Sequence, residues 1–459
     1  MIHKFEQNGT YLVLDVNSGA VHVVDRLIYR LLDYLSDVPQ QGACPQHICE
    51  KLVEEFDETD VKEAYSELFE LSAMGYLFSS DDYDQFEQLM SVSPVKALCL
   101  HVAHDCNMRC AYCFAGKGDY SGQRMIMPTE VARAAIDYLI THSEGRRNLE
   151  VDFFGGEPLM NFEVVKKTVL YARTLEKQHG KLFRFTITTN GLLLTDDKID
   201  FINREMSNVV LSIDGRSTTN DRVRKPVSGD KSCYDLIMPN FKKLVDTRGE
   251  GQYYVRGTFT KYNLDFAEDV LHLYKEGFDQ ISVEPVIADP AMPYALTEED
   301  IPAIGAEYER LAAEMIRREQ TGDWFNFFHF MMDLEQGPCA IKRLRGCGCG
   351  NEYVAVTPDG DVYPCHQFVG HEQWKMGDVF TGSIDPQKKA QFAASTVYGK
   401  PACRDCWAKF YCSGGCNANS YIYNGNNTLP HNMSCELEKK RIECALYIKA
   451  AAVNEEVSV

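Results

Sequence analysis

Long apolar runs and a surplus of positive charge are both missing from this chain of 459 residues. No stretch approaches the roughly 20 consecutive apolar residues that span a bilayer, so we expect no membrane association. The first residues, Met-Ile-His-Lys-Phe-Glu-Gln, contain neither the basic nor the apolar region of a secretory signal, and we expect a cytoplasmic protein. Acidic residues outnumber basic ones by 67 to 47, whereas nucleic-acid binding requires a basic surface, so we expect no nucleic-acid partner.

Cysteine, in contrast, is abundant, with 17 residues. In a reducing compartment a disulfide framework is improbable and metal ligation is the expected use. Cys106, Cys110 and Cys113 form a C-x3-C-x2-C loop directly after an apolar run. A structural zinc site normally presents cysteines in pairs and closes with four ligands, and two-cluster ferredoxins use the different run C-x2-C-x2-C-x3-C. Three thiolates with no fourth nearby indicate a 4Fe–4S cluster with one open iron.

From Lys96 onward, β-type runs alternate with amphipathic helical patterns. The candidate strands are residues 97–102, 149–154, 183–189, 209–214, 253–259 and 280–284. This alternation predicts an α/β fold in which a parallel sheet curls into a partial (β/α)6 barrel like a TIM barrel. In such barrels the loops at the C-terminal strand ends carry the chemistry. The cysteine loop occupies that position after the first strand.

The cysteine loop and the segments after the later strands resemble the radical S-adenosylmethionine (SAM) superfamily. The resemblance implies that Cys106, Cys110 and Cys113 are catalytic and hold a cluster whose open iron binds SAM. It further implies that the segment around Glu157 holds the SAM amino group, Arg224 its carboxylate, and the segment at Val283 its adenine. The implied SAM contacts are Tyr112, Gly155, Gly156, Glu157, Thr189, Asn190, Ser212, Asp214, Arg224 and Val283.

The C-terminal region is dense in cysteine and resembles the SPASM extension of peptide-modifying radical SAM enzymes, which holds two auxiliary 4Fe–4S clusters. The resemblance assigns to the second cluster Cys403, Cys406, Cys412 and Cys435. It assigns to the first cluster Cys347, Cys365 and Cys416. The fourth ligand of the first cluster is left open between Cys339, Cys349 and a cysteine of the substrate. Zinc is the alternative for the run from Cys403 to Cys416.

The first 90 residues form a predicted module of their own. Residues 11–16 and 20–25 read as a hairpin around Asn17-Ser18-Gly19, helical patterns follow over 27–35, 47–56 and 61–74, and 76–78 read as a short returning strand. This order predicts a winged-helix-like unit, and in a chain this acidic we expect its partner to be a peptide and not DNA; a small capping domain without a ligand is the alternative. The predicted domains are therefore this unit (1–90), a radical SAM barrel (91–294), a bridging helical region (295–335) and a SPASM domain (336–459).

Taken whole, the chain resembles maturases of SCIFF peptides, which are ribosomal peptides with six cysteines in forty-five residues. The resembling segments are residues 15–22, 114–118, 352–358 and 365–370. The resemblance implies thioether formation between a cysteine sulfur and a carbon of an acceptor residue, with SAM and three 4Fe–4S clusters as cofactors. It implies as partners a cysteine-rich precursor peptide, whose leader binds the first domain as an added strand, and ferredoxin or flavodoxin as electron donor.

Three alternatives stay open on the sequence. An anaerobic sulfatase maturase shares the barrel and the extra clusters, although the N-terminal module argues against it. Another peptide-crosslinking SPASM enzyme differs only in its substrate. A non-catalytic iron–sulfur electron carrier or zinc protein would explain the cysteines but would not need Arg224 or the Gly155-Gly156-Glu157 segment.

Overall fold

The computed structural model describes residues 1–35, 38–42, 44–83, 85–86, 92–120, 122–229, 231–332 and 343–457. The predicted domain boundaries at 90/91 and 335/336, and the candidate ligand Cys339, lie outside these ranges. Among the residues described, no helix is both long and apolar enough to cross a membrane.

The chain begins with a three-stranded antiparallel sheet followed by three helices. The strands are β1 (Ile2–Gln7), β2 (Thr10–Asp15) and β3 (Val21–Val24), and the helices are α1 (Arg26–Leu31), α2 (Gln46–Leu52) and α3 (Glu58–Ala73). The hairpin and the helices agree with the sequence prediction. Strand β1 was not predicted, because only two of its six residues, Ile2 and Phe5, are apolar.

The predicted returning strand at residues 76–78 is wrong. This segment has no strand pairing, and 53% of Tyr76 is exposed. The chain is instead tied to the end of β2, because the backbone N–H of Ser79 donates to Asp15 Oδ2 at 3.0 Å. Unpaired backbone groups can thus be satisfied by side chains, which period-two sequence patterns do not reveal.

The central region alternates strands and helices. Its elements are β4 (Ala97–His104), β5 (Met108–Cys110), β6 (Met125–Ile126), α4 (Thr129–His142), β7 (Asn148–Gly155), α5 (Phe162–His179), β8 (Leu182–Thr189), α6 (Asp196–Glu205), β9 (Asn208–Ser212), α7 (Ser217–Val223), β10 (Arg224–Pro226), α8 (Cys233–Arg248), β11 (Gln252–Phe259), α9 (Phe266–Lys275) and β12 (Gln280–Pro285). Six strands pair in parallel in the order β12-β11-β9-β8-β7-β4. Each lies within two residues of a predicted strand, and the mixed α/β fold with a TIM-like core is confirmed.

Alternate residues of the central strands form the main core. In β7, for example, Leu149, Val151 and Phe153 are fully buried, while the residues between them are less so. Helix α4 covers this side with Val131, Ala135 and other buried residues at helical spacing. Burying one such large apolar side chain stabilises the fold by about 1.5–3 kcal/mol. The other face of each strand is therefore free to point into the barrel.

The C-terminal region extends the barrel sheet. Its elements are α10 (Ile301–Glu319), β13 (Asn326–Phe327), β14 (Tyr353–Val356), β15 (Asp361–Tyr363), β16 (Gly377–Asp378), β17 (Ser383–Ile384), α11 (Pro386–Ala393), α12 (Pro401–Arg404), α13 (Lys409–Cys412), α14 (Asn417–Asn424) and α15 (Asn432–Val457). Strand β14 pairs in parallel with β4, Tyr353 lying opposite Ala97. Strands β15, β16 and β17 continue the same sheet in antiparallel pairs.

The N-terminal sheet packs on the C-terminal region. Leu12 and Leu14 of β2 share a buried cluster with Leu446 of α15. The ring of His3 stacks on Trp407, with centroids 3.6 Å apart and planes 3° from parallel. The first and last parts of the chain therefore share one hydrophobic core.

Candidate active site

The cysteine loop leaves the C-terminal end of β4, as predicted. Strand β5 pairs with β10, which places Cys110 directly opposite Arg224. A Cβ at Gly118 would lie 2.8 Å from the Cβ of Cys106, so only glycine permits this close turn. Together with Cys113, the two cysteines line one cavity of about 310 Å³. A cation and three thiols thus converge on the same space.

Gly155 and Gly156 bring the end of β7 against the end of β4. The N–H of Gly156 donates to Ala103 O at 2.8 Å, and the next N–H donates to Asp105 O at 2.9 Å. A Cβ at Gly155 would lie 2.3 Å from Ala103 O, and one at Gly156 would lie 2.1 Å from Asp105 O. Both contacts are with backbone, which cannot move aside. These glycines therefore fix the path of the cysteine loop as well as lining the cavity.

The carboxylate of Glu157 is held by hydrogen bonds from other residues of the protein. It accepts hydrogen bonds from Thr189 Oγ1 and Asn190 N, each at 2.8 Å, and from Leu159 N at 2.9 Å. Burial raises the pKa of Glu157, and these donors oppose the shift. The sequence predicted that this segment receives an ammonium group. In the structure the carboxylate joins the ends of β7 and β8, a role that the sequence alone did not suggest.

Tyr112, Asp214 and Arg224 form a buried polar cluster beside the thiols. Tyr112 Oη donates to Asp214 Oδ2 at 2.7 Å, and Arg224 Nη1 donates to Tyr112 Oη at 3.1 Å. Burial raises the pKa of Asp214, while the nearby guanidinium of Arg224 opposes the shift. Arg224 Nε is buried without a hydrogen-bond partner among the described residues, which leaves a donor for a carboxylate.

Most of the predicted SAM contacts line the same cavity. The structure brings together there Tyr112, Gly155, Gly156, Glu157, Thr189, Asn190, Ser212 and Arg224. Two predicted residues lie elsewhere. Asp214 is fully buried behind Tyr112, and the side chain of Val283 belongs to the main hydrophobic core. Glu284 and Pro285, which follow Val283 in the predicted segment, do line the cavity, as do Val286 and Ile287.

Burial keeps the three thiols of the cysteine loop protonated. It raises the pKa of Cys106 to about 11 and that of Cys110 to about 12, although Arg224 opposes the shift at both. Burial also raises the pKa of Cys113. Metal ligation requires thiolates, so cluster assembly here must release protons.

The arrangement of the three thiols of the cysteine loop fits an iron–sulfur cluster. Among the described residues, no three His, Cys, Asp or Glu side chains are placed as ligands of one metal ion. A 4Fe–4S cluster binds its cysteines on different irons, so its ligands surround a space instead of meeting at a point. Three thiols around one cavity fit this requirement.

A second cysteine set surrounds a larger cavity in the C-terminal region. The cavity measures about 720 Å³ and is lined by Cys403, Cys406, Cys412 and Cys435. The short helices α12 and α13 carry the first and third of these thiols, and α15 carries the last. These are the four cysteines predicted to hold the second auxiliary cluster.

The cysteines predicted for the first auxiliary cluster also lie near one another. The thiol of Cys349 is in hydrogen-bonding contact with the sulfurs of Cys347 and Cys365. Its hydrogen bond lowers the pKa of Cys347 to about 6. Cys416 lies close enough to Cys347 and Cys365 to interact electrostatically with both. The backbone N–H of the residue after Cys349 donates to Pro364 O at 2.9 Å, which holds the two segments together.

Lys400 is a residue that sequence reasoning missed. Only 1% of it is exposed, and its ammonium donates to Gly414 O at 2.7 Å and Asn417 Oδ1 at 3.0 Å. It interacts electrostatically with Cys403 and Cys412 of one set and with Cys416 and Cys347 of the other. A buried cation between the two sets would favour their thiolate forms. The only sequence signal was its position three residues before Cys403.

Two family models match this chain, one over the region of the cysteine loop and one over part of the C-terminal cysteine-rich region. Residues 100–282 match the family model described as the radical SAM superfamily. Residues 347–407 match SPASM, described as an iron–sulfur cluster-binding domain. The first match contains the cysteine loop, and the second contains Cys347, Cys365, Cys403 and Cys406.

One sequence relative and two solved structures match this chain at low identity. A cysteine-type anaerobic sulfatase-maturating enzyme of Clostridium novyi is 24% identical over 74% of this chain and 92% of its own length. The structure of native anSMEcpe with bound AdoMet and the Kp18Cys peptide superposes with a TM-score of 0.65 at 19% identity, covering 79% of this chain and all of its own. Streptococcus suis SuiB bound to its precursor peptide SuiA superposes with a TM-score of 0.52 at 16% identity, covering 93% of this chain and 97% of its own.

Proposed function

We propose that this chain, which carries a radical SAM domain followed by a SPASM iron–sulfur domain, installs thioether crosslinks in a cysteine-rich ribosomal peptide of the SCIFF type. The observation that carries the proposal is the N-terminal sheet packed directly on the cysteine-rich region. A peptide held at that sheet would be tethered near both cysteine sets, which raises its effective concentration at the barrel.

Strand β3 supports a peptide partner because one of its edges is free. It pairs with β2 on one side, and the described residues contain no strand on the other side. Val23 of this strand is 44% exposed, and Met74 and Tyr76 after helix α3 are 61% and 53% exposed. A leader added as a fourth strand would gain backbone hydrogen bonds from the edge and apolar contacts from these side chains.

The side chains of the barrel would position the cofactor and exclude water. When bound, SAM and the cluster on the cysteine loop supply a 5'-deoxyadenosyl radical, which requires an electron from a ferredoxin or flavodoxin. Arg224 Nε would hold the SAM carboxylate, and Asn190, whose amide already donates to Cys106 Sγ at 3.6 Å, would help to orient the loop. The auxiliary cysteine sets would hold two further clusters, with Cys349, Cys339 or a substrate cysteine completing the first.

An anaerobic sulfatase-maturating activity is the second candidate. It is favoured by the Clostridium novyi relative and by the fold shared with anSMEcpe. The match to anSMEcpe, however, includes all of that protein but only 79% of this chain, whereas the match to SuiB includes 93% of this chain. The larger share of this chain matched by SuiB supports a maturase with a separate peptide-binding module. Other peptide-crosslinking enzymes would also fit that description.

Mass spectrometry of a cysteine-rich precursor peptide of the SCIFF type, with six cysteines in forty-five residues, tests the proposal. The peptide is incubated anaerobically with iron-loaded protein, SAM and a reductant, and is then reduced and alkylated. Each thioether would transfer one hydrogen atom from carbon to the deoxyadenosyl radical, one proton from the thiol to solvent and one electron to an auxiliary cluster, so the mass of the peptide falls by two hydrogens and one fewer cysteine is alkylated. The Cys106→Ala variant should form no 5'-deoxyadenosine. Deoxyadenosine formation by that variant, or wild-type protein that leaves the peptide unchanged, would contradict the proposal.

A further inference from the structure

Two cavities meet between the barrel and the C-terminal region. One is the 310 Å³ cavity of the cysteine loop, and the other, of about 380 Å³, reaches Cys416. The residues that line both are Glu284, Pro285, Ile287, Gln367 and Asn419. We call this shared wall the junction. A molecule bound against the junction would contact the cavity of the cysteine loop on one side and the cavity that reaches Cys416 on the other.

On the barrel side, Glu284 of the junction pairs with Arg256, which lines only the cavity of the cysteine loop. They lie on the neighbouring strands β11 and β12, and Arg256 Nη2 donates to Glu284 Oε2 at 2.8 Å. Although both project into the barrel, their side chains are 48% and 35% exposed, because a space wide enough for solvent lies in front of them. Burial disfavours the carboxylate, yet the guanidinium of Arg256 holds the pKa of Glu284 at about 2. This side therefore presents a permanent donor and a permanent acceptor.

Gln367 and Asn419 form the opposite side. Gln367 lies two residues after Cys365, and Asn419 lies on α14, three residues after Cys416. Over the ranges that the structure describes, neither side-chain amide has a hydrogen-bond partner. A primary amide can both donate and accept, which matches the N–H and C=O of a peptide unit. Two unpaired amides at a cavity wall are suited to the backbone of an extended peptide.

We propose that the junction binds the main chain of the substrate residue from which hydrogen is removed. Gln367 and Asn419 hydrogen-bond one peptide unit of that residue, and the Arg256–Glu284 pair bonds the other. The residue's side chain then points into the cavity of the cysteine loop, and the attacking cysteine approaches from the side of Cys416. This inference rests on the proposed function and adds the contacts that select which residue reacts. Because the contacts are to backbone, they fix the residue's position without restricting its side-chain type.

Variants of the two amides test the inference in the full, iron-loaded chain with the same cysteine-rich peptide. Gln367→Leu and Asn419→Leu keep the approximate size of each side chain and remove its hydrogen bonds. The matched control is Gln373→Leu, since Gln373 lies in the same region, donates to Tyr421 Oη at 2.7 Å and lines neither cavity. Iron content is measured for each variant. Where a leucine variant loses iron, Gln367→Glu or Asn419→Asp, which keeps the shape and removes the donor, replaces it.

Each lost hydrogen bond should raise the KM for the peptide by about 2- to 12-fold, with the KM for SAM unchanged. The ratio of crosslinked peptide to 5'-deoxyadenosine should also fall, since a misplaced backbone lets the radical react without crosslinking. Gln373→Leu should match the wild type in both. An increase in the KM for SAM alone, or an unchanged peptide KM and ratio in both amide variants, would overturn the inference. If the wild type forms deoxyadenosine but never modifies the peptide, the proposed function fails instead.

Discussion

Replacing Gly156 with alanine should disrupt the cysteine loop, because the added methyl group has no space. The new Cβ would lie 2.1 Å from Asp105 O and 2.6 Å from Asp105 C, and both atoms belong to backbone that the hydrogen bond from Glu157 N to Asp105 O holds in place. Overpacking of this kind typically costs 1–3 kcal/mol, and we expect the upper end, about 3 kcal/mol, because no side chain can rotate away. Unfolding the whole chain of 459 residues carries an entropy of about 2.1 cal/mol/K per residue, so that free energy corresponds to a fall in Tm of about 3 °C.

Gly145→Ala is the matched control for Gly156→Ala. No atom lies within 4 Å of a Cβ at position 145, and the backbone there does not have positive φ. We expect this control to change the free energy of unfolding by less than about 1 kcal/mol. Thermal unfolding of the metal-free chain, followed by circular dichroism, measures both variants, and iron analysis then reports whether the cysteine loop still assembles a cluster. Equal Tm values and full iron loading in Gly156→Ala would refute the steric argument.

Three further predictions concern charge and protonation. Cluster loading on the cysteine loop should strengthen as pH rises from 7 to 9, because burial raises the pKa of Cys106 to about 11 and each bound thiol must release a proton; an iron titration that shows no pH dependence would contradict this. Lys400→Met should lower the reduction potentials of both auxiliary sites, since a nearby cation favours the reduced, more negative cluster. An anaerobic redox titration measures these potentials, and the exposed Lys177→Met should leave them unchanged. Burial holds the pKa of His101 well below 6.5, so below pH 6.5 the unfolded chain binds a proton at this residue that the folded chain does not bind. The free energy of unfolding should therefore be retained above pH 6.5 and fall below it. His101→Asn should flatten this part of the plot of Tm against pH, whereas the exposed His179→Asn should not.

Local patterns predicted the parts of the fold whose cause is local. The central strands and the three N-terminal helices follow from residue periodicity, and the cysteine loop follows from its spacing. Most of the cavity wall was predicted as well, because residues after parallel strands meet at the same end of the barrel. Each of these inferences needed only the residues of one segment and a general rule of packing.

Features that depend on distant partners were not predicted. Strand β1 carries too few apolar residues to be recognised, and it is stabilised by pairing with β2. The place of Val283 in the core, and the hydrogen bonds that occupy Glu157, depend on neighbours far away in the sequence. Lys400 acquires its position only when both auxiliary cysteine sets come together. A single sequence contains no signal for such long-range contacts when no pattern of spacing accompanies them.

The pairing of β14 with β4 means that the barrel and the cysteine-rich region cannot be separated cleanly. Four register positions, from Tyr353–Ala97 to Val356–Leu100, join the strand that leads to the cysteine loop to the strand that follows Cys349. A truncation that removed the C-terminal region would expose the edge of β4, a buried and largely apolar strand, and such edges promote aggregation. Chimeras that exchange auxiliary domains between related enzymes would therefore have to carry β14 with them and match its register.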